Sequence, residues 1–213
     1  RSGQNKIFVS VEGETLPGCP FLVSVNGGAM DPSKCKISGT IFEEGPLVVG
    51  NEYYVRIECF DIFGNPMCRG GDVISADLKG PVDEEIVVTD MMDGSYTGSL
   101  LTRWSGSYEM RIKGNHVEVA GSPATLRFLS GKTFPPNCDC SLSKLPDSRL
   151  TCVIGVTASF EVYTRDKFGN TCDEQDSADA FDVLVRGPEK FNADVEFLGN
   201  GAYRVSFISN MSG

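Results

Sequence analysis

Five residues, Asp61-Ile62-Phe63-Gly64-Asn65, return as Asp166-Lys167-Phe168-Gly169-Asn170, an offset of 105 from position 61 to position 166. Cys35 and Cys140 stand at the same offset. Further along, Gly80-Pro81 returns as Gly187-Pro188, and Asp93-Gly94-Ser95-Tyr96 as Asn200-Gly201-Ala202-Tyr203, both at an offset of 107. A self-match at a fixed period means a unit of structure used more than once. The extra two residues are expected in the variable acidic stretch after the Phe-Gly-Asn turn, because loops accept insertions that paired strands do not. With 213 residues, the chain has room for about two such units, each large enough to bury a core.

The pieces inside each unit read as strands. Val55, Ile57 and Cys59 alternate with Arg56, Glu58 and Phe60, and Phe160 and Val162 alternate with Glu161 and Tyr163, so each run has one core face. A partial third copy lies at the start. There Ile7, Val9 and Val11 alternate before Gly13, followed by Pro17-Gly18-Cys19-Pro20-Phe21-Leu22-Val23-Ser24-Val25. The middle copy has Tyr108, Met110 and Ile112 before Gly114, then Ala120-Gly121-Ser122-Pro123-Ala124-Thr125-Leu126-Arg127-Phe128. With 24 Gly and 11 Pro punctuating these short apolar runs, the expectation is an all-β chain.

The order of strand, D-x-F-G-N turn, Gly-Pro, D-G-S-Y, S-G-S-Y strand and G-S-P strand resembles filamin-type immunoglobulin-like repeats across essentially the whole chain. That resemblance implies tandem seven-stranded antiparallel β-sandwiches. On this alignment residues 28–130 are a complete repeat, residues 1–27 are the last two strands of a preceding one, and residues 131–213 are a following one lacking its last two strands. Incomplete sandwiches leave open edges, which either reflect only where the chain was cut or pair with another copy by strand exchange.

The resemblance also guides the cysteines. Eight cysteines suit an oxidising compartment and a disulfide-stabilised fold. If the first strand starts near the end of the second, the expected bridges are Cys35 with Cys68 and Cys140 with Cys172. Cys138 with Cys152 and Cys19 with Cys59 then follow by exclusion. The triplet Asn210-Met211-Ser212 is a glycosylation sequon and agrees with an extracellular placement. No run approaches 18 apolar residues and the chain opens on Arg1 without a leader pattern, so any anchor or signal is expected outside this segment.

Chemistry is sparse. With 29 acidic against 19 basic residues the net charge is −10, which argues against nucleic acid and anionic lipid partners. The single histidine, His116, sits in an expected turn with no nucleophile pattern around it, so no catalytic residue and no cofactor is assigned. Cys138-Asp139-Cys140 lacks the further ligands of a zinc site. Asp173-Glu174-Gln175-Asp176 with Asp179, and Asp90 with Asp93, match no calcium loop and read as solvated turns. Trp104, the only tryptophan, reads as core beneath a turn in preference to an exposed adhesive contact.

The resulting expectation is a non-enzymatic, extracellular adhesion module that recognises protein partners at a cell surface. Filamin-type repeats in plant and algal gamete-surface proteins suggest gamete attachment as one setting. The alternatives are a structural spacer or self-associating scaffold, and a piece of a cytosolic actin-crosslinking filamin.

Overall fold

The computed structural model describes residues 3–172, 182–187 and 190–211. Its regular structure consists of strands and single-turn 3-10 helices. Strands β1 (Gly3–Ile7), β2 (Ser10–Val11), β3 (Glu14–Thr15) and β4 (Phe21–Val25) form an N-terminal ribbon in which β1 pairs β4 and β2 pairs β3, all antiparallel.

A complete sandwich follows. It runs through β5 (Lys36–Ser38), β6 (Leu47–Val48), β7 (Tyr53–Glu58), β8 (Ile74–Lys79), β9 (Glu84–Ile86) and β10 (Val88–Asp90). It ends with β11 (Ser95–Leu100), β12 (Gly106–Gly114), β13 (Val117–Glu118) and β14 (Ala124–Leu129). One sheet has the order β10-β11-β7-β5 and the other β6-β14-β12-β8-β9, with β13 on β12. The alternation read from sequence puts Val55 and Ile57 of one sheet and Leu78, Met110 and Ile112 of the other on buried faces, all essentially removed from water. Each such large side chain contributes about 1.5–3 kcal/mol relative to its exposed state.

The third set comprises β15 (Asp139–Cys140), β16 (Ala158–Tyr163), β17 (Leu184–Arg186), β18 (Lys190–Asn192), β19 (Asp194–Gly199) and β20 (Ala202–Phe207). The order β15-β16-β20-β19 reproduces the first sheet of the complete sandwich, and β17-β18 is a separate hairpin. By proximity the chain divides into two compact units. One holds Arg1–Leu47, Asn51–Leu101 and Ser107–Arg127; the other holds Val48–Gly50, Thr102–Gly106 and Phe128–Gly213.

The repeated motifs are explained by backbone chemistry. Asp93 accepts from the amide and hydroxyl of Ser95, and Gly94 takes φ 87°, where a Cβ would strike the Met67 carbonyl. Tyr96 is then delivered to the core, its hydroxyl accepting from the Asp72 amide. In the third set Gly201 repeats this at φ 66°, with the Cys172 and Thr164 carbonyls 3.0 Å from where a Cβ would stand.

Candidate recognition surface

The D-x-F-G-N motif is built around its aspartate. Asp61 is buried, and its Oδ1 accepts from the amides of Phe63 and Asn65 while Oδ2 accepts from the amide of Gly28; the Asn65 side-chain amide donates to both oxygens. These donors, the Asn65 side chain first, hold the carboxyl at about 2, below its ordinary 3.8. Asp166 repeats the arrangement with Phe168, Asn170 and Gly131. The aspartate that organises the turn is present in both copies of the motif.

The tip of this turn is where the two copies differ. Ile62 is 64% and Phe63 86% exposed. In the second unit, Phe168 lies against Gly50, and Asn170 donates to the Arg103 carbonyl at 2.8 Å and accepts from the Ser105 amide at 3.0 Å. The same turn can therefore grip a pair of loop segments or stand open.

The N-terminal ribbon is open throughout. At the position of Met110 and Ile112, both fully buried, the ribbon has Ile7 and Val9, 46% and 36% exposed; at the position of Leu126 and Phe128 it has Val23 and Val25, 37% and 43% exposed. Its turn uses the same device as the complete repeat with a different atom. Ser122 Oγ accepts from the Ile112 amide at 2.9 Å, and Cys19 Sγ accepts from the Val9 amide at 3.4 Å.

No two of the eight cysteines are bridged in this structure. Cys35 and Cys59 are buried and within hydrogen-bonding reach of each other. Cys68 is exposed, with its thiol on the Pro66 carbonyl at 3.7 Å. Cys138 donates to the Phe134 carbonyl at 3.5 Å, Cys140 faces Val162 across the ladder, and Cys152 is exposed. Cys172 is buried, with its thiol 3.7 Å from the Gly131 carbonyl. The structural counterpart of Cys35 is Cys138 and not Cys140: each ends a 3-10 turn, Pro32–Lys34 and Pro135–Asn137, and bonds to its first residue. A further two-residue insertion therefore lies between the first and second strands, in addition to the one after the Phe-Gly-Asn turn.

Trp104 also departs from expectation, being 48% exposed. Thr102 takes the buried position instead and its hydroxyl accepts from the Trp104 amide, which turns the indole outward. His116 lies exposed in a tight turn with Asn115, both at positive φ. Asn210 is exposed; Ser212 of its sequon and the acidic residues Asp173, Glu174, Gln175, Asp176 and Asp179 lie outside the described residues. Asp90 accepts from the amides of Gly71 and Met92, and Asp93 from Ser95, so both carboxylates organise turns. Among the described residues no group of three or more His, Cys, Asp or Glu is placed to hold a metal, and no helix is long and apolar enough to cross a membrane.

Comparison with known proteins agrees with this architecture. A family model described as Filamin/ABP280 repeat matches residues 29–125. Filamin-A of Drosophila melanogaster is 28% identical over 136 residues, 64% of this chain and 6% of that protein. Filamin-C of Mus musculus is 28% identical over 217 aligned residues, 99% of this chain and 7% of the relative. Protein GAMETE EXPRESSED 2 of Arabidopsis thaliana is 28% identical over 158 residues, 71% of this chain and 17% of the relative. The chain thus spans a small part of each. Among solved structures, the Escherichia coli adhesin FdeC superposes with a TM-score of 0.64 at 21% identity over 96% of this chain and 64% of its own. Invasin, a bacterial integrin-binding protein, does so with 0.62 at 14% identity over 99% and 41%. At these identities the likeness is one of fold.

Proposed function

We propose, from the match of residues 29–125 to the Filamin/ABP280 repeat model, that this chain is an extracellular protein–protein recognition segment that binds through exposed loop tips, with no chemical step. The observation that carries this reading is the tip of the D-x-F-G-N turn in the complete repeat, where Ile62 is 64% and Phe63 86% exposed. Large apolar side chains held in water at the tip of a hydrogen-bonded turn suit a protein contact.

Several facts support the extracellular, adhesive setting. Eight cysteines and an exposed Asn210 suit the secretory pathway, and Asn210 is the expected glycan carrier. FdeC is an adhesin and invasin binds integrin, so tandem sandwiches of this fold serve attachment in other proteins. The name of the plant relative supports gamete attachment as the setting; the filamin relatives support the cytosolic alternative. On this reading residues 1–27 are the end of one repeat, 28–130 a whole one and 131–213 the start of a third.

The test is attachment of cells to the immobilised chain. Binding that falls several-fold in an Ile62→Asp, Phe63→Asp double variant supports the reading. Equal attachment to the chain and to an unrelated acidic β-sandwich overturns it.

A further inference from the structure

The bridges expected from the repeat join Cys35 to Cys68 and Cys19 to Cys59. The fold brings different atoms together. Strands β5 and β7 pair Lys36 with Glu58, Ile37 with Ile57 and Ser38 with Arg56. Extended by one residue, that register sets Cys35 directly opposite Cys59. Parity agrees: Ile57 and Cys59 are both on the core face of β7, and Cys35 is buried to the same 2% exposure as Cys59. Cys19 meanwhile is engaged with the Val9 backbone, and Cys68 lies at the surface on the Pro66 carbonyl.

We propose that Cys35 and Cys59 form a disulfide that staples the first strand of the complete repeat to the second, and that the following repeat has no counterpart of this staple. Directly opposite residues of an antiparallel pair have Cα atoms about 4.5–5.5 Å apart, inside the range of about 4.4–6.8 Å that a bridge spans. In the second unit the position of Cys59 is held by Thr164, facing Cys138 across the extended register of Asp139 with Tyr163. Thr164 spends its hydroxyl on the Gly201 carbonyl, 3.0 Å away. That cross-strand pair cannot be oxidised.

In the closed fold the two thiols interact: the Cys59 thiol, donating to Cys35, lowers Cys35 to about 7, with the Phe60 amide adding to the effect and burial opposing it, while Cys59 is raised by its contact with Cys35 and by burial. The bond itself forms by exchange. One of the two cysteines, as its thiolate, displaces one thiolate from a small-molecule disulfide such as oxidised glutathione, forming a mixed disulfide. The other then loses its proton and attacks the protein sulfur of that mixed disulfide, releasing the second thiolate. The protein loses two hydrogens and the small disulfide becomes two thiols. Because both residues are buried in the finished fold, the exchange belongs to folding, before β5 closes on β7.

The pairing itself rests on geometry; only its occupancy in the cell rests on the extracellular reading. The experiment refolds the full chain in reduced and oxidised glutathione, alkylates remaining thiols in denaturant, and digests with trypsin plus a protease cutting before Asp61. That cut separates Cys59 from Cys68. The expected result is a peptide carrying Cys35 joined to one carrying Cys59, lighter by two hydrogens than the reduced pair and released by reductant. A Cys68→Ser variant is expected to retain the link, and reduction to lower the thermal midpoint of both proteins. Cys35 joined to Cys68, or Cys35 and Cys59 both alkylated after refolding to a native circular dichroism spectrum, overturns the proposal. A cellular pool with both thiols free while the purified chain still forms the link overturns the extracellular reading alone.

Discussion

Asp61 is 2% exposed and ionised, a combination that is stable because every donor around it is fixed by the turn it organises. Its carboxyl sits at about 2 in the fold against 3.8 in an unstructured chain. A depressed folded value means that the charge stabilises the fold above about pH 4, and that this contribution is lost as pH falls from about 4 toward about 2. Asp61→Asn keeps the shape but presents an amide where two backbone N–H groups need an acceptor. Urea unfolding followed by circular dichroism is expected to give a lower midpoint for the variant at neutral pH, and a weaker fall in midpoint than wild type through that acidic window. The aspartate was legible in the sequence, since both copies of the motif carry it. What the sequence alone did not reveal is that its second oxygen reaches back to Gly28 and Gly131, since those contacts join positions 33 and 35 residues apart.

The strand positions of β7 and β12 were legible from period-two alternation, because one sheet face is buried and the other is wet. The alternation also identified the β1–β4 ribbon, but it could not tell whether that face is covered, because the pattern is the same with and without a partner. The equivalence of the cysteines is hidden for a related reason. The match between Cys35 and Cys140 follows the motif offset, while the ladder places Cys138 at the equivalent position, and a shift of two residues keeps the parity and escapes notice. Trp104 turned outward because a buried Thr102 took the inward place, a choice made by local hydrogen bonding.

Two consequences are testable on these elements. Ser122→Ala removes the acceptor of the Ile112 amide and is expected to cost roughly 1–3 kcal/mol in denaturant unfolding. Leu126→Asp, which puts a charge at a 6% exposed core position, is expected to abolish cooperative unfolding, whereas Val23→Asp at the matching ribbon position leaves the thermal midpoint within a degree or two of wild type, about ±0.5 kcal/mol.

For the whole molecule, a net charge of −10 and an apolar turn tip at Ile62 and Phe63 give recognition two different salt dependences. A contact made by complementary surface charge weakens as salt rises, because charges are screened over about a Debye length, roughly 8 Å at physiological salt. A contact made by burying the apolar tip keeps its strength. Attachment of cells to the immobilised chain is therefore expected to hold between low and high salt, and an Ile62→Asp, Phe63→Asp variant is expected to attach several-fold more weakly at every salt concentration. Both side chains stand outside the core, so the thermal midpoint of the variant is expected within a degree or two of wild type, and loss of attachment would not be confused with unfolding. Attachment that falls steeply with salt and is equal for the two proteins removes the tip and places recognition on surface charge.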